Sequence, residues 1–246
     1  MMRTALCVLA AATLLSAADV RDFHQTVPLD PTGRFSLDTF KGSIHITAWD
    51  QPQAEIQARI VADETGWFAV PVDDVEIRVD HTPGSVHVKT DYRRNKFIEG
   101  DLPSVEYTIR VPRKAALSIK DYKSESDIAG VEGAIEFETY KGTARLDGLR
   151  SGLRLNTYKG DVRAVFAQFA GPSRVDTFKG SVELSIPRSA AFDLDSRMDR
   201  RAGLDSDFPR TIRSTRDREY HGSVNGGGPE LRVSSFKGTI RLRAGN

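Results

Sequence analysis

The stretch Leu153-Arg154-Leu155-Asn156-Thr157-Tyr158-Lys159-Gly160, followed by Val162-Arg163-Ala164, decides how this chain folds. Apolar and polar residues alternate on both sides of the phrase Thr-Tyr-Lys-Gly, and a period of two marks a half-buried strand. The segment reads as strand, bend, strand. The phrase recurs at Thr39-Phe40-Lys41-Gly42, Thr139-Tyr140-Lys141-Gly142, Thr177-Phe178-Lys179-Gly180 and Ser235-Phe236-Lys237-Gly238. Asp121-Tyr122-Lys123-Ser124 is a degenerate sixth copy without the glycine. The fourth positions at 124, 142, 160 and 180 are spaced by 18, 18 and 20 residues.

Parity changes at the glycine. Val175 and Thr177 share a face before Gly180, whereas Val182, Leu184 and Ile186 share one after it. Glycine reaches backbone angles closed to other residues, so a corner or bulge is expected at each copy. A unit this short cannot bury its apolar row alone and must stack on its neighbours. The expected fold is all-β: a β-solenoid, single-stranded and β-helix-like, built from strand-Gly-strand repeats of ~18–20 residues. Equivalent positions would then lie one strand spacing apart, about 4.8 Å. The alternative is an antiparallel β meander or sandwich, in which like residues recur two strands apart, at roughly 10 Å.

Residues 19–246 are expected to form one domain, with irregular N-terminal strands over 19–112, regular repeats over 113–190, a loop excursion over 193–228 and final strands over 229–246. Alternation marks strands at 75–79, 86–88 and 105–111, and Pro112 ends the last of these. These early strands are expected to make the first, wider turns. Arg93 to Pro103 is polar and reads as a loop. The excursion from Asp193 to Gly228 is rich in Asp and Arg and reads as a mobile loop or flap.

Composition narrows the function classes. The 246 residues are 39% hydrophobic and 28% charged, enough to build a packed core. Thirty-five Lys and Arg against 34 Asp and Glu leave a net charge of +1, so no global field recruits nucleic acid or an anionic membrane. Residues 1–18 read as a signal peptide: Arg3, an apolar run from Ala5 to Leu15, then Ser16, Ala17 and Ala18, with cleavage near Ala18. That run is too short to cross a bilayer, which takes about 20 residues, and no later stretch approaches that length. Cleavage also removes Cys7 and leaves no cysteine, which fits a bacterial envelope better than a disulfide-stapled secretory route. The chain is expected to be exported, to the periplasm or the cell surface.

The strand-Gly-strand repeats, the strand end at Val111-Pro112, the Val224-Asn225-Gly226-Gly227-Gly228 turn and the final Gly238-Thr239-Ile240 strand together resemble the bacterial putative adhesin family, related to the head-GIN type. The resemblance spans roughly 34–244 and implies an exported, β-helix-like domain. Members often carry Ser before the glycine where this chain has Lys, and the family supplies no catalytic residues.

The candidate binding row is the aromatic and lysine pair of each copy: Phe40 and Lys41, Tyr122 and Lys123, Tyr140 and Lys141, Tyr158 and Lys159, Phe178 and Lys179, Phe236 and Lys237. Exposed aromatics stack on sugar rings or bases while Lys holds anionic groups. In the structural alternative the rings stack on one another and Lys stems cover them. Asp38, Glu138, Asp161 and Asp176 are expected to neutralise the lysines. Catalytic, cofactor and metal residues are expected to be absent. His24, His45, His81, His87 and His221 show no ligand spacing. Asp193, Asp195, Asp199, Asp205 and Asp207 lack the order of a calcium loop, and ion pairing with Arg197, Arg200, Arg201 and Arg210 accounts for them more simply. The sequence thus points to a non-enzymatic interaction module whose partner is an envelope protein or glycan. The other class is a carbohydrate-binding or carbohydrate-active protein using the aromatic and lysine row. End strands offer an edge for pairing with another copy.

Overall fold

The computed structural model describes residues 19–63, 70–93, 102–208, 213–216 (backbone alone) and 219–245. Residues 1–18, read from the sequence as a signal peptide, most of the 93–103 segment and Arg210 lie outside the described residues. The first strands are β1 (Val20–Pro28), β2 (Arg34–Asp38), β3 (Lys41–Trp49), β4 (Gln53–Val61), β5 (Val75–Thr82), β6 (Ser85–Tyr92) and β7 (Ser104–Pro112). The repeats supply β8 (Ala116–Asp121), β9 (Lys123–Ala129), β10 (Ile135–Thr139), β11 (Thr143–Leu149), β12 (Leu153–Thr157), β13 (Val162–Phe166), β14 (Ser173–Thr177) and β15 (Val182–Pro187). The remainder supplies β16 (Phe192–Met198), β17 (Gly203–Ser206), β18 (Arg213–Arg216), β19 (Glu219–Val224), β20 (Glu230–Ser235) and β21 (Thr239–Gly245).

The chain is all-β, as the alternation predicts, with no α-helix among the described residues. Sheet I runs β1-β4-β7-β3-β9-β11-β13-β15-β21-β17, and sheet II runs β18-β19-β16-β20-β14-β12-β10-β8-β2-β6-β5. The two are joined by one core to which both contribute, including Phe35, Phe137 and Leu155 from sheet II and Ile46, Val182 and Leu242 from sheet I. A fully buried Leu, Val, Ile or Phe contributes about 1.5–3 kcal/mol, so this shared core is the main favourable term. Two large mixed sheets are the layout of the sandwich alternative.

Within the central part the pairing is parallel rather than meandering. Asp121 pairs with Thr139, Thr139 with Thr157, Thr157 with Thr177 and Thr177 with Ser235, all in register. The first strand of each repeat lies in sheet II and the second in sheet I, so the chain passes between sheets at every phrase. Antiparallel pairs flank this centre: β1 with β4 and β4 with β7, β5 with β6, and β19 with both β16 and β18.

Three expectations need correcting. The N-terminal strands do not form successive early turns: β6 and β7 lie outside β2 and β3, and β8 and β9 then dock on the opposite side of that first pair. The 193–228 excursion is largely strand, with β16 parallel to β20 and β17 parallel to β21. Its pairing places β20 and β21 between the fourth repeat and β16 and β17, out of chain order. The third correction concerns why the phrase ends in glycine. Only Gly42 of the five has a positive φ, at 134°. At the others the backbone of the preceding copy leaves no room: a Cβ on Gly160 would lie 2.0 Å from the Gly142 carbonyl oxygen, one on Gly180 1.9 Å from that of Gly160, and one on Gly238 2.0 Å from that of Gly180.

Gly160→Ala must push one bend off the next and should lower stability by about 3 kcal/mol or more. Gly84, whose Cβ would meet nothing within 4 Å, is the control. Gly84→Ala should stay within about 0.5 kcal/mol in the same denaturant titration, and equal effects would contradict the close-approach account.

Candidate functional site

Each bend is built by its own phrase. The Thr157 hydroxyl accepts from Gly160 N–H at 3.0 Å, and the Thr139 hydroxyl accepts from Gly142 N–H at 2.9 Å. The Thr177 and Ser235 hydroxyls donate to the carbonyls of Gly180 and Gly238, at 3.2 and 3.0 Å. With the ends of the bend tied and the Thr and Gly turned inward, the aromatic and the lysine between them face outward. The bends also bond to one another: Lys159 N–H donates to Tyr140 O at 2.9 Å, and Lys179 N–H to Tyr158 O at 2.8 Å. The parallel ladder therefore continues around the corner, which fixes the height of every ring.

The rings form a single stack in the spatial order Phe40, Tyr122, Tyr140, Tyr158, Phe178, Phe236. Successive centroids lie 4.6, 4.8, 4.6, 4.7 and 4.7 Å apart, with interplanar angles of 3° to 11°. Such pairs contribute about 0.5–1.5 kcal/mol each beyond the area they bury. Lysine heads lie over the rings: Lys141 Nζ is 5.5 Å from the Tyr122 centroid and 5.6 Å from that of Tyr140, and Lys159, Lys179 and Lys237 are 5.9, 5.7 and 5.4 Å from Tyr158, Phe178 and Phe236.

The row is not uniform. Lys41 leaves it, donating to Asp63 at 2.5 Å and to Leu102 O at 2.9 Å with its side chain only 16% exposed. Lys123 is exposed at the bend that lacks glycine. Two of the carboxylates expected to neutralise the lysines are engaged elsewhere, Asp161 by Ser181 N–H and Asp176 by Arg174 and the Ser234 hydroxyl. The ends of the stack also differ. Phe40 is closed edge-on by Tyr92, with centroids 6.0 Å apart at 72°. Phe236 is 41% exposed and borders a groove of about 690 Å³.

The degenerate copy holds a buried carboxyl. Asp121 occupies the threonine position and accepts from Ser124 N–H and Thr139 Oγ1, both at 2.9 Å, from Ser124 Oγ at 2.5 Å and from Lys123 N–H at 3.2 Å. Burial raises its pKa above the ordinary value, although these donors pull the other way.

Outward rows on sheet II went unrecognised in the sequence because they depend on register. Arg154, Arg174 and Arg232 lie on adjacent strands, and beside them run Asn156, Asp176 and Ser234. A second groove, of about 510 Å³, is lined by those arginines together with Arg34 and the small residues Gly152 and Pro172. Three acidic residues of the 193–228 segment pair with arginines of the last two strands: Asp195 with Arg232 at 3.1 Å, and Asp205 and Asp207 with Arg243 at 2.6 and 3.0 Å. His24, His45 and His221 lie against Glu55, Asp127 and Asp195. Among the described residues no group of three His, Cys, Asp or Glu is arranged to hold a metal ion, and no helix is long and apolar enough to cross a membrane.

No family model matches the chain, and no curated protein does. Among solved structures it is similar to a putative cell adhesion protein from Clostridium sporogenes, with 12% identity and a TM-score of 0.47 over 92% of this chain and 100% of that one. A putative adhesin from Bacteroides fragilis has 15% identity and a TM-score of 0.43 over 90% and 97%. A putative lipid binding protein from Parabacteroides distasonis has 13% identity and a TM-score of 0.25 over 90% and 96%. At these scores likeness alone assigns neither fold nor function.

Two outcomes are expected from the geometry of the bend. Tyr140→Ala removes two ring contacts and should cost about 2–3 kcal/mol, whereas Tyr140→Phe should cost under about 0.5 kcal/mol; thermal melts of the two decide whether the ring or its hydroxyl matters. For Asp121, a folded pKa above the unfolded one means the folded state holds its proton longer, so this group's contribution falls as pH rises through a window starting near 3.8. Asp121→Asn should therefore gain in melting temperature over the parent chain between about pH 4 and pH 7. A constant difference across that range would contradict the assignment.

Proposed function

We propose that the chain is a non-enzymatic, exported interaction module of the bacterial envelope or exterior, adhesin-like, and that its parallel centre is wound as a coil with one strand pair per turn. The observation that carries the proposal is the six-ring stack, which commits the repeated phrase to holding one turn on the next. What such a scaffold offers a partner is its outer face. On sheet II that face presents rows of planar, polar side chains at strand spacing, with the two grooves of about 690 and 510 Å³ beside them. Arginine and asparagine side chains in fixed register are suited to reading an extended partner by paired hydrogen bonds. The partner is an envelope protein or glycan, and with near-neutral total charge nucleic acid is not its target. Edge strands β1, β5, β17 and β18 offer a route to self-association. Carbohydrate binding is the second reading, favoured by the exposed ring of Phe236.

Labelled chain applied to isolated bacterial envelopes and to a mixed protein and glycan array should show saturable retention. Replacing Arg154 and Arg174 together by Gln should weaken it about tenfold or more while leaving the melting temperature within a few degrees. The same change at Arg145 and Arg163 on sheet I should leave retention intact. Absence of retention on every surface, or equal loss from both pairs, would overturn the proposal.

A further inference from the structure

The ring stack stops at Phe236 for a specific reason. On the neighbouring strand pair Asp199 stands where the next aromatic would be: its N–H donates to Ser235 O at 2.9 Å, just as Phe236 N–H donates to Thr177 O at 3.1 Å. A carboxylate does not fill the volume of a six-membered ring. Phe236 is accordingly the exposed large hydrophobic side chain among the described residues, while Tyr92 closes the opposite end of the stack. Asp199, Glu219, Arg197 and Met198 are among the residues lining the groove beside Phe236. Its volume, about 690 Å³, is in the range of small-molecule sites, roughly 300–1,000 Å³.

We propose that this open end seats a neutral saccharide, one sugar ring of which continues the stack on Phe236. The inference rests on the interaction-module reading and assigns its ligand class. A sugar ring is apolar on its C–H face and ringed by hydroxyls, and the site holds an aromatic face and charged polar groups side by side. The face of Phe236 takes the C–H side. The carboxylates of Asp199 and Glu219 accept hydroxyl protons, and the Arg197 guanidinium donates to hydroxyl oxygens. A wholly apolar ligand would strip water from these charged groups without replacing it. The carboxylates of Asp199 and Glu219 are balanced by Arg197 and by Lys237, whose Nζ lies 5.4 Å from the Phe236 centroid, so neither an anionic nor a cationic ligand finds a surplus of opposite charge. Asp176, which also lines the groove, is already held by Arg174 at 2.6 Å and Ser234 at 2.5 Å, so it acts as wall rather than acceptor.

The sequence supplies a reporter. Its three methionines are Met1, Met2 and Met198, so Met198 is the one outside the segment read as a signal peptide, and it borders the groove with its side chain buried in the adjoining core. The full chain labelled at the methionine methyl with ¹³C, and assigned through Met198→Leu, is titrated with maltotriose, cellotriose and mannotriose, and separately with trigalacturonate and choline. At least one neutral trisaccharide should shift the Met198 methyl signal with a Kd of about 1 mM or tighter. Phe236→Ala should weaken that binding at least about tenfold, Phe236→Trp should keep it, and Tyr122→Phe in mid-stack should leave it unchanged. The proposal is overturned if no neutral trisaccharide moves the signal, if only trigalacturonate or choline does, or if Phe236→Ala binds as the parent chain does. A silent methyl signal combined with persistent envelope retention sinks the saccharide seat while the interaction module stands; loss of both sinks both.

Discussion

Backbone against backbone at the bend is the contact on which this molecule depends. The carbonyl of one phrase glycine fills the space where the next would carry a side chain. Because nothing larger than hydrogen fits, the repeats close to strand spacing at the corner as well as along the sheets. That distance brings the rings within 4.6–4.8 Å and sets lysine heads over them. Stacking energy and cation attraction then reinforce a spacing that hydrogen bonding and glycine have already imposed.

Much of this was legible in the residues. Alternation around Thr157-Tyr158-Lys159-Gly160 gives strand, bend, strand, and parity turns Thr and Gly inward and the ring outward. The regular step from 124 to 180 gives like-on-like placement through the middle of the chain. What stayed hidden is decided by partners distant in sequence. Nothing local tells Phe40 that its neighbour is Tyr122, or that Phe178 will stack on Phe236 while Phe192–Met198 lies beyond both. The glycine was given the right position and an incomplete cause, since φ is a property of one residue and close approach a property of two.

The candidate site divides along the same line. The aromatic and lysine row is visible from the phrase, but its asymmetry is not. Lys41 is drawn to Asp63, Tyr92 closes one end, and Asp199 leaves the other uncovered. The arginine row on sheet II combines residues from three strands whose neighbourhood exists only once register is set. Asp121 shows the cost of departing from the phrase: a carboxyl in a threonine's place keeps the bend, with four donors gathered around it, at the expense of a buried ionisable group.

The interleaving of β20 and β21 between the fourth repeat and β16 and β17 reaches beyond architecture. During synthesis the chain emerges in sequence, and Phe192–Met198 appears well before Glu230–Gly245. Its seat does not yet exist, since the strands it pairs with are still to come. The earlier segment can pair with Glu219–Val224 as soon as that strand emerges, but its parallel seat waits until the later one has slotted onto Ser173–Thr177 and Val182–Pro187. Strand-by-strand maturation in chain order therefore halts before Phe192–Ser206 and Glu230–Gly245, whose parallel pairing can only be completed together.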